Sequence, residues 1–216
     1  MSNCSLLAIK ESIIMSTRRT GFTLFSEKNS LDGDRVKVVL LEKNITCETV
    51  IVDLTNPPED LLEVNPQVIL PTLITREIAI YHTDTILEFL DERFPHPPLL
   101  PNDPILRAKF RLTIKTIVND WYPLVEKLIG RKTADNKTNK AIADLLVAYA
   151  PLFGATSYFQ SDDFSLIDAT IVPFLWWVKY LDIPLPKKAQ PVLDYYDRLF
   201  EKESIKMAFD KKEKTI

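Results

Sequence analysis

The sequence predicts a chain of α+β or α/β class in two parts, an α/β unit over residues 21–94 and an all-helical unit over 105–210. Three observations carry this expectation. Between 21 and 94, short stretches with the two-residue period of strands alternate with stretches of helical period. The segment DERFPHPPLLP (91–101) then brings Pro95, His96, Pro97, Pro98 and Pro101 together; proline has no amide proton and a fixed φ, so it cannot sit inside a helix or a central strand. Beyond that segment, apolar residues recur at spacings of three and four. Residues 95–104 therefore read as a stiff, extended linker, and residues 1–20 as an N-terminal tail ahead of the first strand.

The first unit follows in order. GFTLFS (21–26) is a strand, and after a polar loop Val36, Val38, Val39, Leu40 and Leu41 give a helix that closes near Asn44. CETVIVD (47–53) alternates apolar and polar residues, as a half-buried strand does. Asn56, with two prolines behind it, opens a short helix that runs to residue 64. LPTLIT (70–75) and EIAIYH (77–82) form a hairpin, and DTILEFLDERF (84–94) returns to helix. The order is βαβαββα.

In the second unit, Asp103 before Pro104 is an N-cap with proline at the first helical position. Ile114, Ile117, Val118, Trp121, Val125, Leu128 and Ile129 then form an amphipathic stripe, and Pro123 within it predicts a kink. A second helix spans 136–152, with Ile142, Leu145, Leu146 and Tyr149 on one face. FSLIDATIVPFLWWVKYL (164–181) is apolar almost all round, which predicts a buried central helix. Ser165 and Asp168 at its start have the spacing of a capping box, with Asp in place of the usual Glu. QPVLDYYDRLFEK (190–202) is the last helix. Trp176 and Trp177 point about 100° apart on a helix, so at least one of them is core. Trp121 is also read as core, and Tyr122 as core or as lining the cleft between the two units.

Composition excludes several functions. With 46% hydrophobic and 26% charged residues, and no apolar run near the roughly 20 residues that span a bilayer, the chain has no membrane-spanning character. MSNCSLLAIKESIIMSTRRT lacks a basic region ahead of a clean apolar run, so it is not read as a signal peptide, and Met15 is an alternative start to Met1. Two cysteines, Cys4 and Cys47, beside two histidines, His82 and His96, give neither a disulfide framework nor a metal-ligand spacing, which fits a reducing cytoplasm. The 27 basic and 30 acidic residues leave a net charge of −3, and KKEK (211–214) reads as a solvated end, so direct DNA binding is not expected.

A βαβαββα unit, a linker and a helical unit whose central helix starts Ser-x-x-Asp resemble the glutathione transferase fold, with a thioredoxin-like N-terminal domain and an all-helical C-terminal one. Leu70-Pro71-Thr72-Leu73 looks like the turn before the third strand in that family, which implies that Pro71 is a structural cis proline. Within the superfamily, LFS, VKVVLLEKN, NPPEDLLEVNP, PTL, EFLDERFPHPPLLP, NDWYPLVEKL and SDDFSLIDATIVPFLWW resemble a bacterial branch of RNA polymerase-associated, stress-response proteins. LDERFPHPPL is the specific part of that likeness.

Transferase chemistry needs a group that stabilises the glutathione thiolate near the start of the first helix. SEKNSLDGDRV there offers Leu31, Asp32, Gly33 and Asp34, and a carboxylate beside a thiol raises its pKa. Ser26 and Ser30 read as turn and cap residues, and Cys47 as a small strand residue. Where the family carries an acidic-Ser pair for the γ-glutamyl end of glutathione, this chain has His82-Thr83, a vestigial site in which Thr83 is expected to be a helix N-cap. No catalytic residue, cofactor or metal is therefore expected; a glutathione-dependent transferase or thiol reductase is the alternative. His96 has no Ser, Cys or second acid at a catalytic spacing. A prolyl frame loses little entropy on docking, so Pro95, His96, Pro97 and Pro98 are read as a partner-binding patch. The resemblance implies RNA polymerase holoenzyme, including the primary sigma factor, as the partner, and a dimer with itself or with a paralogue.

Overall fold

The computed structural model describes residues 21–130 and 135–210, which fall into two compact units that divide after Phe94. The expectations for Cys4, Met15 and residues 211–214 lie outside the described residues.

The first unit is a four-stranded mixed sheet in the order β2-β1-β3-β4. Strand β1 (Phe22–Ser26) runs parallel to β2 (Cys47–Ile51) and antiparallel to β3 (Thr72–Ile74), which pairs antiparallel with β4 (Ala79–Tyr81). The parallel pair needs a crossover, and helix α1 (Leu31–Glu42) supplies it. Phe25 and Ile74 point to one face, where they cluster with Val52 and with Leu61 of helix α2 (Glu59–Val64). Leu24 and Leu73, adjacent across β1 and β3, point the other way by strand alternation, the side on which α1 and α3 (Thr83–Arg93) are buried. CETVIVD becomes a half-buried strand, as its two-residue pattern predicts: Val50 packs against the Phe25 cluster and Val52 just beyond the strand is buried, while Ile51 between them is exposed. It lies at the sheet edge, with Glu48 and Thr49 also exposed.

Two local devices fix the sheet. The Leu70–Pro71 bond is cis, as expected, and the turn around it is tied by Asn65, whose Nδ2 donates to the Ile69 carbonyl and to Thr72 Oγ1, both at 2.9 Å. Gly33 lets α1 lie close on β1: a Cβ there would stand 1.9 Å from Ser26 Oγ.

The second unit is helical: α4 (Pro104–Thr116), α5 (Tyr122–Glu126), α6 (Asn136–Phe153), α7 (Leu166–Tyr180), α8 (Gln190–Glu201) and α9 (Glu203–Phe209). Asp103 caps α4 through a 2.8 Å hydrogen bond from the Leu106 amide. The break near Pro123 takes the form of a π-helical turn, Ile117–Trp121, which absorbs the missing proline donor before α5 starts. Helix α7 is buried almost all round, as its composition predicts. Trp177 is buried and Trp176 half-buried, and Tyr122 is core, its hydroxyl donating to the Thr170 carbonyl at 2.7 Å. The helix read over 190–202 is α8, and a further short helix that the sequence reading did not separate, α9, follows it. Lys202 is extended between α8 and α9, and Ile205, Ala208 and Phe209 bury the face of α9.

Candidate functional site

The proline segment starts where α3 ends. Helix α3 buries Leu87, Leu90 and Asp91, and Phe94 is its C-cap. Asp91 thus stands on the apolar stripe, and its partner is the equally buried Lys43, the C-cap residue of α1, with Nζ 2.8 Å from Asp91 Oδ1. The same ammonium donates to the Phe94 carbonyl at 2.6 Å. The Phe94 ring meets Phe22 edge-on at 5.8 Å, and the Arg93 guanidinium lies 5.5 Å over it. From here Pro95, His96, Pro97 and Pro98 are all exposed, with a cis bond between His96 and Pro97. Leu99 and Leu100 turn inward and are buried, and the Leu99 carbonyl accepts the Leu166 amide at 2.9 Å. The surface residues are therefore a short run between the half-buried Phe94 and the buried Leu99.

The start of α1 holds the residues considered for thiol chemistry. Ser30 is the helix N-cap, its hydroxyl accepting the Gly33 amide at 3.0 Å, and the buried Ser26 hydroxyl donates to the Glu27 carbonyl at 3.2 Å. Both act as the cap and turn residues that the sequence suggests. Arg35 is buried one turn in. Its guanidinium donates to Asp32 Oδ1 at 2.8 Å and to Asp84 Oδ1 at 3.2 Å, joining the first turns of α1 and α3. Both helix starts, which favour anions, thus already carry carboxylates of the chain itself. Cys47 sits in the edge strand, and burial pushes its thiol up to about 12. That is the reverse of an activated cysteine.

The expectation that Thr83 caps α3 is corrected. His82 occupies the N-cap position at φ +68°, makes no side-chain capping bond, and packs its ring 5.2 Å from Tyr81; Thr83 is the first helical residue and is buried. The left-handed turn at His82 places the start of the helix one residue earlier than a Thr cap requires.

Ser165 and Asp168 form the expected capping box, and more. Asp168 accepts from the Ser165 amide and hydroxyl, each at 2.8 Å, from the Phe159 amide at 2.8 Å, and from the Tyr195 hydroxyl at 2.5 Å. Burial raises the Asp168 carboxyl above the usual range even against these donors, and lifts the Tyr195 phenol as well. This is a structural hub that ties α7 to α8 and to the loop before α7. Among the described residues, no cluster of His, Cys, Asp and Glu could hold a metal ion.

Lys43, Asp91 and Arg35 escaped the sequence reading. Asp91 was legible in principle, since Leu87, Leu90, Asp91 and Phe94 share one helical face and a carboxylate among apolar residues demands a buried partner.

Residues 24–98 match the model of the glutathione S-transferase N-terminal domain family. Among solved structures, a glutathione S-transferase from Rhodospirillum rubrum superposes with a TM-score of 0.79 at 20% identity, covering 90% of this chain and 94% of that one. A rice glutathione transferase in complex with glutathione gives 0.75 at 21% identity, covering 87% and 90%. The fold is that of the glutathione transferases. Curated relatives narrow the class: stringent starvation protein A homologs from Pasteurella multocida and Coxiella burnetii are 39% and 35% identical, over 88% and 92% of this chain and 90% and 96% of theirs. The chain belongs to the stringent starvation protein A family.

Proposed function

We propose that this chain is a cytoplasmic, dimeric transcription adaptor that binds RNA polymerase holoenzyme, including the primary sigma factor, through Pro95, His96, Pro97 and Pro98, with no direct DNA contact and no glutathione transferase activity. The observation that carries the reading is the exposure of these four residues in a row, between the half-buried Phe94, whose carbonyl Lys43 holds, and the buried Leu99 and Leu100. Such a run presents an imidazole, with its donor and acceptor, in a frame of apolar rings whose free conformations are few. The absence of transferase activity is supported by Asp32 and Asp84 at the helix starts, where glutathione carboxylates would meet like charge, and by the inactive environment of Cys47.

The test is capture of RNA polymerase by the wild type and by Pro95→Ala/His96→Ala/Pro97→Ala. Truncating exposed side chains moves stability by about 0.5 kcal/mol or less, whereas loss of a binding hot spot costs about 2 kcal/mol or more, roughly thirtyfold in affinity. A folded variant that binds polymerase as tightly as the wild type refutes the docking role. One observation favours the alternative of a glutathione-dependent transferase: the Ser30 hydroxyl stands at the N-terminus of α1. Conjugation of glutathione to an electrophile, abolished in Ser30→Ala, would establish it.

A further inference from the structure

The carbonyl oxygen of Phe94 belongs to the peptide group that joins α3 to Pro95. That group is planar, and the ring of Pro95 fixes the φ angle beyond it. Holding this one oxygen therefore sets the direction in which the chain leaves the helix. His96 precedes a proline and so has a restricted backbone of its own, and the direction is passed on to its imidazole.

The oxygen is held by the buried Lys43 ammonium at 2.6 Å, while Asp91 at 2.8 Å keeps that charge paired inside the unit. The remaining supports of Phe94 grip other atoms. Its amide donates to the Leu90 carbonyl at 3.0 Å, and its ring is packed by Phe22 and Arg93. These secure the end of the helix, whereas the Lys43 contact secures the peptide plane ahead of Pro95.

We propose that Lys43 is a positioning residue for the surface of Pro95, His96, Pro97 and Pro98, presenting His96 to a protein partner by anchoring the Phe94 carbonyl. Its consequence for binding rests on the docking function proposed above; the anchoring itself does not.

Two variants separate anchoring from general stabilisation. Lys43→Met/Asp91→Leu removes both charges at once, so no lone ion stays buried, and it frees the Phe94 oxygen. Asp91→Asn keeps an acceptor for Lys43 and so keeps the Phe94 contact. His96 bears the one backbone amide proton in residues 95–98, and 15N relaxation there reports on the segment directly. The expected order parameter is near about 0.85 in the wild type and in Asp91→Asn, and below about 0.6 in Lys43→Met/Asp91→Leu, with the amides of α1 and α3 unchanged. Polymerase affinity is expected to fall about tenfold or more in the double variant alone, a loss of about 1.4 kcal/mol.

An unchanged His96 order parameter in the double variant overturns the inference, whatever happens to polymerase binding. Loss of order at His96, combined with polymerase affinity that His96→Ala leaves intact, supports the anchoring and overturns the docking function instead. A His96 order parameter below about 0.6 in the wild type also overturns the inference, so it stays testable if the double variant does not fold.

Discussion

Replacing Asp168 with Asn changes one atom type in the buried hub and has a calculable cost. The amide oxygen of Asn can still accept from the Phe159 amide and the Tyr195 hydroxyl, the two partners of Oδ1. The nitrogen, however, stands where Oδ2 received the Ser165 amide and hydroxyl. The hydroxyl can turn, but the Ser165 amide is fixed in the backbone and is left facing a donor. An orphaned buried donor costs about 1–3 kcal/mol, and each retained bond weakens by about 1 kcal/mol on losing the charge. Against this, a neutral amide avoids the desolvation that raises the Asp168 carboxyl. The net expectation is about 2–4 kcal/mol, or about 4–16 °C in melting temperature for a chain of this size. Tyr195→Phe removes one charge-assisted bond and is expected to cost about 1.5–3 kcal/mol, and the double variant less than the sum by about 1 kcal/mol. Trp121, Trp176 and Trp177, all three tryptophans of the chain, lie in the helical unit. Urea titration followed by tryptophan fluorescence therefore reads this unit alone. A change within about 0.5 kcal/mol of wild type for Asp168→Asn would show that the network is not a stabilising hub.

The remaining predictions concern the first unit. Calorimetric titration with glutathione is expected to give an affinity weaker than about 1 mM, or −4.1 kcal/mol; micromolar binding with turnover would sink the adaptor reading. In a Cys4→Ser background, Cys47 is expected to alkylate about a thousandfold more slowly at pH 8 than a free thiol, with a rate that keeps rising with pH toward about 12, because the raised value leaves only about one ten-thousandth as thiolate; a rate that levels off near pH 9 contradicts this. Lys43→Met is expected to cost about 3–5 kcal/mol in denaturant titrations and Arg35→Met distinctly less, since Asp91 is 7% exposed whereas Asp32 and Asp84, at 40% and 38%, keep water when their partner is lost; the reverse order refutes the argument. Gly33→Ala is expected to destabilise the unit by about 1–3 kcal/mol, with Ser26→Gly restoring most of it in a thermal melt, because the new methyl would overlap Ser26 Oγ.

The fold was legible wherever one physical signal dominated. Two-residue and helical periods gave the βαβαββα order, Asp103-Pro104 marked the start of α4, and Ser165 with Asp168 marked α7. The failures depended on atoms distant in sequence or on a backbone conformation that residue identity does not dictate. Tyr195 and Phe159 make Asp168 a hub rather than a cap, and neither could be paired with it from spacing alone. The left-handed backbone at His82, not the identity of Thr83, decides where α3 begins. In the candidate site, the exposed prolines and His96 could be read directly and Asp91 was legible as a charge on an apolar face, but its partner Lys43, far away in sequence, could not be paired with it.

That division bears on how the site works. Residues that touch a partner must be exposed, so composition and proline content reveal them, but the residues that orient them are buried and reveal themselves as charges in apolar company. Lys43 and Asp91 illustrate the point: a buried ion pair is weak evidence for stability, because well-packed apolar side chains of similar volume serve as well or better. What apolar side chains cannot do is hold a carbonyl oxygen. The Lys43 ammonium satisfies the Phe94 carbonyl at the moment the helix gives way to a proline that offers no amide of its own. A leucine–methionine pair could fill that volume, yet it would leave the carbonyl free to turn and with it the plane carrying Pro95. Under the docking function proposed above, LDERFPHPPL would have two parts, an exposed surface in PHPP and the buried Asp91 that pairs with the Lys43 holding the Phe94 carbonyl.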